Sequence, residues 1–71
     1  MQPIPGIYRH YKGALYEVLG TATHSETEEA LVMYRALYGD YGLWARPRDM
    51  FMEQVSQQGE NIPRFALLQA F

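Results

Sequence analysis

Residues 24–29, HSETEE, set three carboxylates and two hydroxyls directly against residues 30–38, ALVMYRALY, the most apolar stretch of the chain. Whether that apolar stretch is a helix or a strand decides the fold. Ser25 followed three residues later by Glu28 has the form of a helix capping box, and Ala30, Met33, Tyr34, Leu37 and Tyr38 recur at helical spacing up to Gly39, a suitable C-terminal cap. The same residues also alternate with a period of two. Val32, Tyr34, Ala36 and Tyr38 then share one face, and Leu31, Met33, Arg35 and Leu37 the other. Residues 38–42, YGDYG, have tight-turn composition and would fold this strand back onto residues 43–46, LWAR. Local rules leave both readings open.

The chain has 71 residues, so it reads as one domain over 1–71, because two cores of half that size would not offset the entropy of ordering their backbones. A domain this small buries about 60% of the surface its unfolded chain exposes, and a net stability of about 3–5 kcal/mol is expected. Cysteine is absent, which removes disulfides, thiolate metal sites and a cysteine nucleophile. No apolar run approaches the roughly 20 residues of a membrane span, and the first residues do not resemble a signal peptide. A soluble domain in the cytoplasm, with no membrane partner, is the expectation.

Upstream, Pro3 and Pro5 favour an extended lead-in, residues 7–11 read as a short strand, and Lys12 and Gly13 as a turn. Residues 15–24 alternate clearly: Tyr16, Val18, Gly20, Ala22 and His24 on one face, Leu15, Glu17, Leu19, Thr21 and Thr23 on the other. Gly20 in mid-strand predicts a bend or bulge. Downstream, Pro47 can open a short helical turn over 48–52, with Met50 and Phe51 plugging the open end of a barrel. A brief strand is expected over 53–55 and a loop over 56–61. The tail from Arg64 to Phe71 is expected to dock, or to contact another copy, because its apolar side chains would otherwise form an exposed patch.

The segments YRHYKG (8–13), YEV (16–18), HSET (24–27), VMYR (32–35), LYG (37–39), WARP (44–47) and MF (50–51) resemble, in this order, the bacterial DUF1653 family. The likeness covers about 6–55. It implies a mainly β fold, a small antiparallel SH3-like barrel with the short helical turn after Pro47, and makes 31–37 a strand preceded by the HSET loop. It implies no activity, and fold analogy alone supplies none.

Three groups of residues could carry function. His24, Ser25, Glu26 and Thr27 form a polar loop in which Ser25 or Thr27 is expected to cap a turn. A minor hydrolytic or enzyme-accessory role for His24 and Glu26 is the catalytic alternative. Consecutive residues on extended chain point in alternate directions, however, so a proton relay among them needs an unusual turn. With His10 and His24 the only histidines and no close ligand spacing, no metal and no cofactor is implied.

Arg9, Lys12, Arg46 and Arg48, with Tyr8, Tyr11 or Trp44, could form a basic and aromatic patch for nucleic acid. The formal net charge of −2 opposes long-range attraction of phosphates, and pairing or solvation of Arg46 and Arg48 is the plainer account.

The third group is aromatic. Six tyrosines, three phenylalanines and one tryptophan suit both core walls and contact surfaces. Trp44 is expected to be a core wall with one edge of the indole accessible. With no nucleophile-base pair and no phosphate-cradling glycine loop, the expected function is a non-enzymatic binding or adaptor module for a protein or small ligand. Its surface would comprise Tyr34, Tyr38, Tyr41, Trp44, Arg46 and Arg48, bordered by the acidic loop. A monomer or weak homodimer is expected.

Overall fold

The computed structural model describes residues 3–71; Met1 and Gln2, where the extended lead-in begins, lie outside the described residues. The elements are β1 (Gly6–His10), β2 (Leu15–Thr23), β3 (Ala30–Ala36), β4 (Leu43–Pro47), α1 (Arg48–Phe51), β5 (Gln54–Gln57), β6 (Glu60–Pro63) and β7 (Phe65–Ala70). Five strands form one antiparallel sheet in the order β4-β3-β2-β1-β7, and β5 and β6 form a separate two-stranded ribbon.

The apolar stretch is a strand. Residues of β3 pair on one side with β2, from Tyr16 opposite Ala36 to Thr23 opposite Ala30, and on the other with β4, from Leu31 opposite Pro47 to Arg35 opposite Leu43. The YGDYG turn closes the β3–β4 hairpin: the Ala36 N–H donates to the Gly42 carbonyl and the Tyr41 N–H to the Tyr38 carbonyl. Gly39 and Tyr41 take positive φ there, 60° and 55°. The period-two pattern prevails over the capping box because each strand hydrogen bond is accompanied by burial of Val32, Tyr34 and Ala36, whereas a lone helix would bury one stripe against nothing.

The bulge expected at Gly20 is present, as a register shift between Val18 and Gly20. Directly opposed residues share a face, so the pairings Val18 with Tyr34 and Thr21 with Val32 show that the extra residue reverses the strand's phase. Thr21 therefore turns inward in place of Ala22, which is exposed, and its Oγ1 is buried without a hydrogen-bond partner. At Gly6 the backbones of β1 and β7 come so close that a Cβ would lie 2.3 Å from the Gln69 carbonyl oxygen. Only glycine fits that register.

The SH3-like barrel is not formed. β4 and β7 are the two edges of an open sheet; among the described residues each is paired on one side only, and no ladder joins them. β4 ends at Pro47, which has no N–H to donate, and the chain leaves at once into α1. The space that a closing ladder would occupy is filled by rings: Phe51 of α1 stacks on Phe65 of β7, centroids 4.1 Å apart and planes within 3°. Both faces of residues 31–37 are apolar, but only one is covered; Leu31 and Met33 on the other remain half-buried.

The core is one cluster of Tyr8, Val18, Val32, Tyr34, Phe51 and Phe65, with Tyr16 packed against it. Full burial of a valine or phenylalanine side chain contributes about 1.5–3 kcal/mol, so this aromatic cluster supplies much of what so small a domain has. Of the expected plug, Phe51 is buried and Met50 stays exposed. The expected loop over 56–61 is instead the β5–β6 hairpin, turning at Gln58 and Gly59 with φ of 53° and 81°. The tail does dock, as β7 beside β1, but it buries Phe65 and leaves Leu67, Leu68 and Phe71 exposed. Among the described residues no helix is long and apolar enough to cross a membrane.

Candidate functional site

Inner-face side chains of β4 lie at the sheet's edge and have neighbours on one side only. Trp44 opposes Tyr34 and Arg46 opposes Val32. Trp44 is 56% exposed, so the expected core wall is instead a surface group. Tyr41 and Leu43 are exposed to the same degree and Tyr38 is half exposed, all within the same hairpin. Tyr34 lies beneath them, buried, with Tyr16 edge-on to its ring at 5.4 Å between centroids.

Tyr16 connects the core to this surface. Its hydroxyl lies 2.8 Å from that of Tyr38, and its ring meets those of Tyr38 and Phe65 at right angles, each 5.6 Å away. Burial, then the hydrogen bond with Tyr38, pushes its pKa up to about 12. Burial likewise raises that of Tyr8, whose hydroxyl donates to the Ile4 carbonyl.

Arg46 sits among rings. Its Nε donates to the Tyr34 hydroxyl at 3.5 Å, and its guanidinium carbon stands 5.9 Å from the centre of the Phe65 ring. The ion pairs among the described residues are Arg48 with Asp49 at 3.5 Å and Arg64 with Glu53 at 3.0 Å, so Arg46 has no carboxylate partner there. His10, at the end of β1, packs edge-on to Phe65 and accepts the Lys12 N–H on Nδ1 at 3.1 Å. Burial first, and then the charges of Arg64, Lys12 and Arg46, lower its pKa.

The basic patch proposed for nucleic acid does not assemble from the four cations expected. Arg9 opposes Leu15 and Ala66 on the outer face, Arg48 is engaged by Asp49, and Tyr8 is buried. The charges of Arg64, Lys12 and Arg46 are felt at His10, and Arg46 lies over the same Phe65 ring that His10 packs against.

The polar loop lies elsewhere. It precedes Ala30, while Tyr38 follows Ala36, so the seven residues of β3, about 20 Å of strand, separate it from the aromatic hairpin. It borders a polar groove with Pro47, Arg48 and Asp49 instead. His24 organises it: Nδ1 accepts the N–H groups of Glu26 and Thr27 at 3.1 and 3.3 Å, and its own backbone bonds to Glu28 and Glu29. Thr27 accepts the Glu29 N–H at 3.3 Å, the capping role expected of it, while Ser25 and Glu26 project outward. Among the described residues no group of three or more His, Cys, Asp or Glu is placed to hold a metal ion.

One feature escaped sequence reasoning. An apolar groove of about 340 Å³ lies between β1, β7, α1 and the end of β6, lined by Ile4, Tyr8, Phe51, Met52, Pro63 and Leu67. Its lining comes from three separated stretches, and only the apolar tail and the MF pair hinted at it.

An open five-strand antiparallel sheet, an accessory ribbon, and an aromatic edge with an unneutralised arginine define a small mainly β domain with a candidate contact face. Residues 6–67 match the family described as protein of unknown function, DUF1653. The crystal structure of a DUF1653 protein from Bordetella bronchiseptica is similar, with a TM-score of 0.85 and 39% sequence identity, covering 94% of this chain and 88% of that one. The chain belongs to the DUF1653 family. The family match extends past the 6–55 of the sequence resemblance to take in the β5–β6 ribbon and the start of β7. No curated protein matches it.

Proposed function

We propose that this chain is a non-enzymatic binding module that engages a protein segment through the β3–β4 hairpin and the inner face of β4. The observation that carries the reading is the exposure of Trp44, the chain's single tryptophan, on an edge strand beside exposed Tyr38, Tyr41 and Leu43. Tryptophan and tyrosine offer large rigid contact area at little cost in side-chain entropy and are enriched at the centres of protein interfaces. The open edge of β4 adds unpaired backbone groups that an extended partner can meet. Comparing wild type with Trp44→Ala in a pull-down from native lysate at moderate salt tests the reading. The expected result is a reproducible partner lost by the variant at unchanged melting temperature. Identical retention by both proteins, or no partner together with turnover of a small substrate, overturns it.

A further inference from the structure

Resting on that reading, we infer that the bound segment presents a carboxylate to Arg46 beside an apolar or aromatic side chain that packs on Trp44. A guanidinium carries five N–H donors, and Arg46 spends one of them, on the Tyr34 hydroxyl at the limit of hydrogen-bond distance. Its remaining donors meet no carboxylate among the described residues. Beneath it the Phe65 ring supports the flat cation by a long cation–π contact and shields one side from water. Lys12 and Arg64 add positive charge nearby, the latter offset by Glu53. A net-negative molecule thus keeps a local positive, aromatic-walled spot on one face.

An anion is the complement of that spot, and its nature follows from the cation count. A run of phosphates needs a row of cations, and Arg9 and Arg48 are turned to other faces or partners. One planar guanidinium matches one carboxylate, which it can grip with two parallel N–H bonds. Two residues along the same strand and on the same face, Trp44 supplies the apolar surface for the neighbouring group.

The test is an NMR titration of isotope-labelled protein with N-acetyl-phenylalanine, with its amide, and with phenyl phosphate. The expected result is perturbation of the Arg46 Nε–H and Trp44 indole N–H signals by the free acid, with affinity about tenfold above that of the amide, as for a charge-assisted hydrogen-bonded pair. Arg46→Gln should abolish the preference for acid over amide, and Arg46→Lys, which retains the charge but not the fork, should keep part of it. Melting curves of both variants serve as the check that they fold. Equal binding of acid and amide overturns the carboxylate while leaving the aromatic contact face standing. Tighter binding of phenyl phosphate at the same signals reassigns the site to phosphate, and no perturbation by any of the three at millimolar concentration overturns the inference outright. If the pull-down has failed as well, the contact face falls with it.

Discussion

Tyr34 and Trp44 face each other across one rung of the β3–β4 ladder, on the same side of the sheet, yet the first is 5% exposed and the second 56%. The difference is one of sheet order. β3 has a strand on either side, so Tyr34 is walled in by Tyr16, Phe51 and Phe65. β4 has a strand on one side, so the larger and more apolar ring is left in water. Residue type and face alone do not decide burial; what packs over the position does, since Phe65 on the other edge strand is buried against Phe51. The aromatic residues of this chain accordingly divide into a buried structural set and an exposed set, the proposed contact set, and measurements that treat the two alike should give opposite answers.

The largest separation is expected from the structural set. Phe65→Ala removes a ring that packs on Phe51, Tyr34, Tyr16 and His10, and truncation of a buried phenylalanine costs about 3–5 kcal/mol. That matches the whole stability expected of a domain this size, about 3–5 kcal/mol. The variant should be largely unfolded at 25 °C by near-UV circular dichroism. A cooperative transition close to that of wild type would remove the ring cluster from its structural role.

A smaller effect should come from alkali. The pKa of Tyr16 is about 12 when folded against an ordinary 10.0, so the native state favours the neutral phenol and the unfolded chain loses its proton first. That stabilisation is complete below pH 10 and is lost as pH rises toward 12. Urea midpoints of wild type should fall across this window, and Tyr16→Phe should flatten the fall, leaving the part due to Tyr8, whose pKa is also raised. An unchanged slope in the variant would show that Tyr16 is solvated like a contact-set ring.

At the acid end His10 has a lowered pKa, so the folded state favours the neutral imidazole whose Nδ1 accepts the Lys12 N–H. The unfolded chain takes up the proton more readily. Stability is therefore full above pH 6.5 and is lost as pH falls through the folded pKa. Substitution by Asn, which can offer an oxygen to the same N–H, should retain the turn and reduce the slope of stability below pH 6.5.

How far the sequence foretold this division differs from element to element. Alternation in 15–24 gave β2, because burial of one face leaves a period-two trace, and Gly20 gave its bulge; 31–37 carried helical and period-two spacing alike, and only the family resemblance made it a strand. Alternation names faces, however, and is silent on which strand lies at an edge. The closed barrel came with the family resemblance and the core-wall reading of Trp44 from the usual burial of a lone tryptophan, and the open order of the sheet overturns both. β5 and β6 are exposed along most of their length, so SQQGEN carried no apolar pattern to announce a hairpin. In the HSET loop the cap was sought at Ser25 or Thr27; Thr27 caps, but the larger share falls to His24, whose Nδ1 accepts N–H groups two and three residues on, much as an Asn side chain would. The charges that reach His10, from Lys12, Arg46 and Arg64, lie on three separate stretches of chain, and no local motif encodes that.

The division is tested most directly by the equilibrium stability of Trp44→Ala, measured by urea unfolding followed by far-UV circular dichroism. A contact-set indole at a sheet edge should cost no more than about 0.5 kcal/mol, as for ordinary surface positions. A loss of about 3 kcal/mol or more, the cost of truncating a core aromatic, would place Trp44 among the structural rings and leave the proposed face without its principal residue.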